Sequence, residues 1–257
     1  MSRSIEQLVN QQVLKWLEQQ RRVPDGPPPS RGEGQRPVIC VSRQFGAYGT
    51  DLARAVGERL GFHVYDQDLV DEIAKQAHVR RKVVESLDER ARSGIVRWVD
   101  ELVEQRHFTA SDYLRNLSEV LLTFARHGQG VIVGRGAHLI LDPELTLRVR
   151  SFAPAAWRSQ RIAARRGISL AQAEVLTTRV DAERTAFYRD RFNVDIEQLG
   201  QFDLLINSST TSLEAATEIV IDAFAAKLRR PSAAPKSGVR SALPFSEGSG
   251  STRTGTR

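Results

Sequence analysis

Cysteine occurs once, at Cys40, which excludes an internal disulfide framework and fits a reducing, cytosolic compartment. Lysine is scarce too: five lysines stand against 32 arginines, and none falls between Lys15 and Lys75. No apolar run approaches the roughly 20 residues that cross a bilayer. Polar residues run through the first helical stretch, which is unlike a secretory signal. The five histidines, His63, His78, His107, His127 and His138, lack metal-ligand spacing. Neither a Ser-His-Asp set nor a Gly-x-Ser-x-Gly elbow is present. What remains is a 257-residue chain, 40% hydrophobic, which is enough for a buried core in one large domain or two small ones.

The sequence pI of 9.9 points first to nucleic acid, but the positive charge lies outside the body of the chain. Residues 229–257 carry a net +5 and residues 1–36 a net +2, whereas residues 37–228 are almost neutral at −1. A nucleic-acid-binding domain carries its basic face on the folded part. No specific nucleic-acid partner is expected.

Residues 1–21 read as an amphipathic helix, with Ile5, Leu8, Val9, Val13, Trp16 and Leu17 as its stripe. The stripe is a docking surface, either for the body of the protein or for a second copy in a homo-oligomer. Gln, rather than Lys and Arg, dominates the polar face, which argues against a membrane-surface role. A Pro/Gly-rich linker covers 22–36, the main domain covers 37–228, and a disordered basic tail is expected over 229–257.

Within the body, 38–41 is an apolar run ending in a loop with Gly46 and Gly49. Leu52, Ala53, Val56 and Leu60 then share a helical face, Gly61 stops it, and 62–65 forms a second strand that delivers Asp66. Helical periodicity follows over 67–77, 80–90, 95–106 and 112–127. Further strands are expected at 130–134, 145–152 and 203–207, with helices from 154, over 169–192 and over 211–227. Strands alternating with helices predict an α/β fold: about five parallel strands between helical layers, with a helical insertion between strands 2 and 3. Ligands in such folds sit at the carboxyl ends of the strands. Those ends hold Ser42–Thr50, Asp66, Arg135 and the stretch after Phe152.

The first strand, glycine-bearing turn and helix have the layout that aims backbone N–H groups and a helix dipole at phosphate. A Walker loop reads G-x-x-x-x-G-K-[ST]. Here Arg43 stands at its first glycine, Tyr48 at its second and Gly49 at its lysine; Thr50 alone survives. The amides of Phe45, Gly46, Ala47, Tyr48, Gly49 and Thr50 are the candidate cradle, and the Thr50 hydroxyl a candidate Mg²⁺ ligand. Arg43 is the candidate replacement for the lysine, bulkier and able to grip phosphate in two places. The plainer reading is a strand-to-helix turn whose glycines serve geometry, with Thr50 as a cap and Arg43 on the surface.

Over about residues 38–226 the chain resembles the cytidylate-kinase-like family, relatives of bacterial cytidylate kinases among the P-loop nucleoside monophosphate kinases. The resemblance rests on Val-Ile-Cys-Val-Ser-Arg-Gln-Phe-Gly-Ala-Tyr-Gly, Leu-Gly-Phe-His-Val-Tyr-Asp, Val-Ile-Val-Gly-Arg-Gly-Ala, Phe-Ala-Pro with Arg158 and Arg161, the group Arg179, Asp181 and Arg184, and Phe-Asp-Leu-Leu-Ile-Asn. It implies a cytoplasmic kinase that moves the γ-phosphate of ATP, with Mg²⁺, to a small nucleotide, CMP by default. It implies that Asp66 and Arg135 bind the acceptor and that Arg158, Arg161, Arg179 and Arg184 surround the transferred phosphate. Gly136 stands where cytidylate kinases carry an aspartate. The residues themselves leave alternatives: Asp66 as a helix cap, and the arginine-rich helices as solvated faces. Function also stays two-sided, an enzyme or a degenerate kinase fold serving as a nucleotide sensor. A third reading, an oligomeric adaptor built on the N-terminal helix, requires Trp16 to be exposed.

Overall fold

The computed structural model describes residues 7, 9–14, 16, 35–87, 89–105 and 111–229. The expected linker (22–36) lies outside the described residues except at 35 and 36, and the expected tail (229–257) lies outside them except at 229.

Five parallel strands form one sheet in the order β2-β3-β1-β4-β5: β1 Val38–Arg43, β2 His63–Tyr65, β3 Gly130–Val133, β4 Thr146–Phe152 and β5 Leu204–Asn207. The central strand is apolar on both faces, and its alternation sorts the core into two. Ile39 and Val41 join Val131, Val133, Leu147 and Val149 under helices α1 (Gly49–Leu60) and α9 (Leu213–Leu228). Val38 and Cys40 face the other way, with Tyr65 and Ile132. That second face is covered by the insertion α2 (Gln67–Lys75), α3 (Ala77–Glu85), α4 (Glu89–Gln105) and α5 (Asp112–His127). The result is the expected three-layer α/β sandwich, with the helical insertion between β2 and β3.

Local chemistry sets the helix ends. Gly61 closes α1 in the left-handed region at φ 66°, and the Ser111 hydroxyl accepts the Leu114 amide of α5 at 3.3 Å. A four-residue helix after β3, α6 (Ala137–Ile140), has no counterpart in the periodicity because it is too short to repeat. Helices α7 (Ala155–Arg166) and α8 (Leu170–Phe192) follow β4, and a capping box of Ser169 with Gln172 starts α8.

The described part of the N-terminal stripe packs on the chain's own body. Val9 is buried, and Trp16 is 2% exposed, stacked on His127 at 3.9 Å and tilted against Phe124 and Tyr65. The exposed Trp16 that an adaptor would need is therefore not found. An indole desolvated on three rings leaves nothing of that residue for a partner.

His127 shares this cluster, with Nε2 2.8 Å from the Ser86 hydroxyl, and His138 lies buried between Tyr188 and Phe202. Burial, reinforced by nearby arginines, lowers both imidazoles from 6.5 to about 3. The unfolded chain binds these protons below pH 6.5 while the folded chain refuses them until about 3. Stability is thus full above pH 6.5 and declines as pH falls toward 3. Thermal unfolding across that window checks this: His127→Gln and His138→Gln each flatten the slope, and an unchanged slope in both would refute it.

Candidate functional site

The loop between β1 and α1 is shaped from below. Gln44 N–H continues the ladder to Ser151 O at 3.0 Å, and Ala47 N–H closes a turn on Gln44 O at 3.3 Å. The Ala47 carbonyl points down into the sheet, where the hydroxyls of Ser208 (2.8 Å) and Ser151 both donate to it. Gly46 at φ 84° and Tyr48 at φ 39° take the left-handed conformations that complete the bend. Tyr48 does not plug it: its hydroxyl donates to Thr211 O at 2.7 Å, and its ring meets Trp157 edge-on. Phe45 lies aside as well, beneath the guanidinium groups of Arg166 and Arg184 at 5.4 and 5.7 Å.

An open cleft of about 340 Å³ therefore runs along Arg43–Asp51, walled by Arg161, Arg165, Arg166 and Arg184. Beside it lies a second cleft of about 210 Å³, lined among others by Arg135, Arg150, Gln67, Phe187 and Tyr188. Arg43, Gln44 and Arg184 border both. The two clefts meet at these side chains.

Arg43 is no surface residue. Its stem crosses Gly49, where an added Cβ would stand 2.5 Å from the Arg43 Cβ, and its head lies over Gly134, where an added Cβ would be 2.3 Å from Nη1. Nη2 donates to Gln67 at 3.2 Å, while Nε is buried without a partner. Burial, and then the neighbouring Arg184, lower its pKa to about 10; it stays charged at neutral pH. Arg184 donates to the Arg43 carbonyl at 3.1 Å, and burial lowers its pKa too. Among the described residues neither guanidinium has a carboxylate within ion-pair distance. Asp181 and Asp68 offset these charges from farther away, yet two desolvated cations side by side without a direct ion pair favour a multiply charged anion.

The remaining expectations divide. Arg161 lines the first cleft but is held by Asp51 at 2.9 Å, as is Arg165. Thr50 lines it too. Arg158 does not face it: the side chain is buried behind the loop, donating to Ala153 O (2.9 Å) and Phe45 O (3.0 Å) and pairing with Asp181. It braces the loop instead, because the Gly46 backbone leaves it no path outward: an added Cβ there would stand 2.9 Å from the Arg158 carbonyl. Arg179 lies outside both clefts, exposed, with Glu183 at 3.8 Å. The Phe45 amide, expected in the cradle, donates to Asp181 at 2.8 Å. Asp66 caps α2 through the Leu69 amide at 3.0 Å and is not in the second cleft, where its neighbour Gln67 stands. Arg135 does reach that cleft. An aspartate could not replace Gly136, since an added Cβ would fall 2.3 Å from Phe192 Cζ.

Sequence reasoning missed Arg150, Arg165, Arg166 and Asp51 as cleft residues. Arg150 carried a signal, a charge inside a mostly buried strand, though one it shares with the half-buried Arg148. It is 3% exposed, donating to Ser42 Oγ at 3.1 Å and Glu197 at 2.6 Å. As for a metal, no group of three or more His, Cys, Asp or Glu that could hold one occurs among the described residues. Magnesium keeps waters and phosphate oxygens as its main ligands and needs few protein oxygens; Thr50 would be the one hydroxyl the loop offers it on the first cleft.

Residues 38–210 match the cytidylate kinase-like family. The cytidylate kinase of Pyrococcus horikoshii is 27% identical over 184 residues, 71% of this chain and 85% of that protein. That of Pyrococcus abyssi is 28% identical over 184 residues, 71% and 91% of the two chains. Among solved structures, a protein of Eubacterium ventriosum is similar with TM-score 0.48 and 17% identity, covering 74% of this chain and 99% of its own. Shikimate kinase of Bacteroides thetaiotaomicron follows with TM-score 0.39 and 15% identity, covering 74% and 98%. No helix among the described residues is long and apolar enough to cross a membrane.

Proposed function

From the fact that this chain belongs to the cytidylate kinase-like family, we propose that it is an ATP-dependent kinase of a nucleoside monophosphate, with residues 37–228 as its catalytic domain. CMP is the first acceptor to test, because the curated relatives are cytidylate kinases. The observation that carries this reading is the pair Arg43 and Arg184, with no carboxylate of the described residues within ion-pair distance, at the junction of the two clefts.

In phosphoryl transfer the protein mainly positions groups and neutralises charge. The donor triphosphate lies along the first cleft, on the amides of Gly46, Tyr48, Gly49 and Thr50 and under Arg161, the Ala47 amide being taken by the Gln44 carbonyl. The acceptor phosphate lies in the second, facing Arg135. An acceptor oxygen attacks the γ-phosphorus, a new P–O bond forms, and the bond to the β-phosphate oxygen breaks with ADP leaving. Arg43 and Arg184 take the negative charge spread over the moving group. Thr50 would hold magnesium, which supplies further charge neutralisation when bound. A cytoplasmic location agrees with a single cysteine that is buried mid-strand, its thiol kept protonated by burial.

Glycine at the lysine position, and the Asp181 carboxylate on the Phe45 amide, favour a second reading, a nucleotide-binding sensor without turnover. One assay separates the two. Purified protein is incubated with ATP, Mg²⁺ and each of CMP, UMP, AMP, GMP and dCMP, and ADP is measured. Acceptor-dependent ADP is the expected result. Saturable nucleotide binding with no ADP from any acceptor would overturn the enzyme in favour of the sensor.

A further inference from the structure

The geometry points to Asp71 as the positioning residue for the acceptor: it aims the Arg135 guanidinium into the second cleft. This rests on the acceptor role proposed for that cleft. Arg135 needs such an anchor because of where it stands. It follows β3 directly in a left-handed conformation, φ 53°, between Gly134 and Gly136, also at positive φ. That backbone fixes φ but leaves the staggered rotamers of a long side chain open.

The anchor comes from 64 residues earlier in the chain, on α2. Asp71 Oδ2 lies 2.5 Å from Arg135 Nη2, with both side chains mostly buried at 15% and 17% exposure. Asp71 is itself fixed, since its other oxygen accepts the Tyr113 hydroxyl from the first turn of α5 at 2.8 Å. Tyr113 carries Arg191 of α8 over its ring at 5.5 Å. Phe187, also on α8, lies under Arg135 with its centroid 4.8 Å from Cζ. Three helices thus converge on one guanidinium.

What they leave unused is informative. Arg135 Nε is buried and has no hydrogen-bond partner, and Arg43 Nε, across the same cleft, is in the same condition. An unsatisfied buried donor costs stability unless something fills it. Neither Nε opens on the cleft, so an acceptor phosphate there meets the outer parts of the two guanidinium groups that line it. Burial and the Asp71 carboxylate both push the Tyr113 hydroxyl up from its ordinary pKa, so it stays a neutral donor to Asp71. The same helix α2 presents Gln67 to the cleft and to Arg43. Asp71 therefore ties the acceptor arginine to the element that also contacts the arginine at the cleft junction.

The test is a double-mutant cycle on the full chain with the acceptor of the panel above that binds best. Acceptor affinity is measured by calorimetry, and KM for acceptor and for ATP by initial rates. Asp71→Asn is expected to weaken the acceptor about tenfold and keep KM for ATP within about twofold, with the fold checked by thermal unfolding because a mostly buried ion pair is lost. Tyr113→Phe gives a smaller loss in the same direction. Asp71→Asn in the Arg135→Ala background adds nothing, because the group it aims is gone. Equal losses in both backgrounds, or a rise in both KM values together, would overturn the positioning role. An unchanged acceptor affinity in Arg135→Ala, or no binding of any acceptor to the unsubstituted protein, would instead sink the acceptor cleft itself and this inference with it.

Discussion

Arg184→Ala is expected to lower kcat/KM for phosphoryl transfer by about a thousandfold, roughly 4 kcal/mol of transition-state stabilisation. The side chain stands where the two clefts meet, and among the described residues no carboxylate lies within ion-pair distance of it, Asp181 acting on it only from farther away. Its charge is therefore available to the anion rather than spent within the fold. Arg43→Ala should fall in the same range, since that side chain also borders both clefts. The contrast is Arg179→Ala, whose exposed guanidinium meets only Glu183; its rate stays within about twofold. Steady-state kinetics on the three variants decide the matter. If Arg179→Ala and Arg184→Ala lose the same activity, the arrangement described here is wrong.

Restoring the Walker lysine is expected to fail. Gly49→Lys places a Cβ 2.5 Å from the Arg43 Cβ and 3.2 Å from that of Ser151, atoms close to two backbones that cannot swing away. Overpacking of this kind costs about 1–3 kcal/mol, which for a domain of this size lowers the melting temperature by roughly 5 °C. Activity should drop at least about a hundredfold, because the displaced stem carries the Arg43 head off Gly134. Gly49→Ala shares the clash without the charge and should lose nearly as much. A Gly49→Lys enzyme faster than the unsubstituted protein would mean that Arg43 is no substitute for the lysine. The reading of Gly49 as a lost lysine thus reverses: the glycine is what lets the arginine cross.

The frame was legible because it is written in short-range patterns. The 38–41 run, the glycine stops and the caps at Ser111 and Ser169 act within one strand or one helical turn, so neighbours in sequence decide them. The place of Arg179 outside the clefts was also legible at that level. On a helix with 3.6 residues per turn, positions 179 and 184 point about 140° apart, so Arg179 could not share a face with Arg184. Asp181 could, and it does face the loop, through the Phe45 amide.

Arg158 and Arg161 show where local reading stops. Three residues apart on α7, both are expected at the phosphate by the resemblance. One braces the loop from behind while the other stands in the cleft beside Asp51, a difference set by how closely α7 approaches Gly46. Asp66 divides in the same way, capping α2 while Gln67 enters the cleft.

By itself, then, the amino-acid order determined the layered parallel fold, the bend after β1 and the absence of a lysine there, since each depends on periodicity and local backbone preference. Tertiary structure alone decided which arginines are free and which are already paired, that Phe192 bars a side chain at Gly136, and that Trp16 belongs to the core. Those outcomes depend on distances between segments far apart in the chain, and a charge is useful to a ligand only when no distant partner has claimed it.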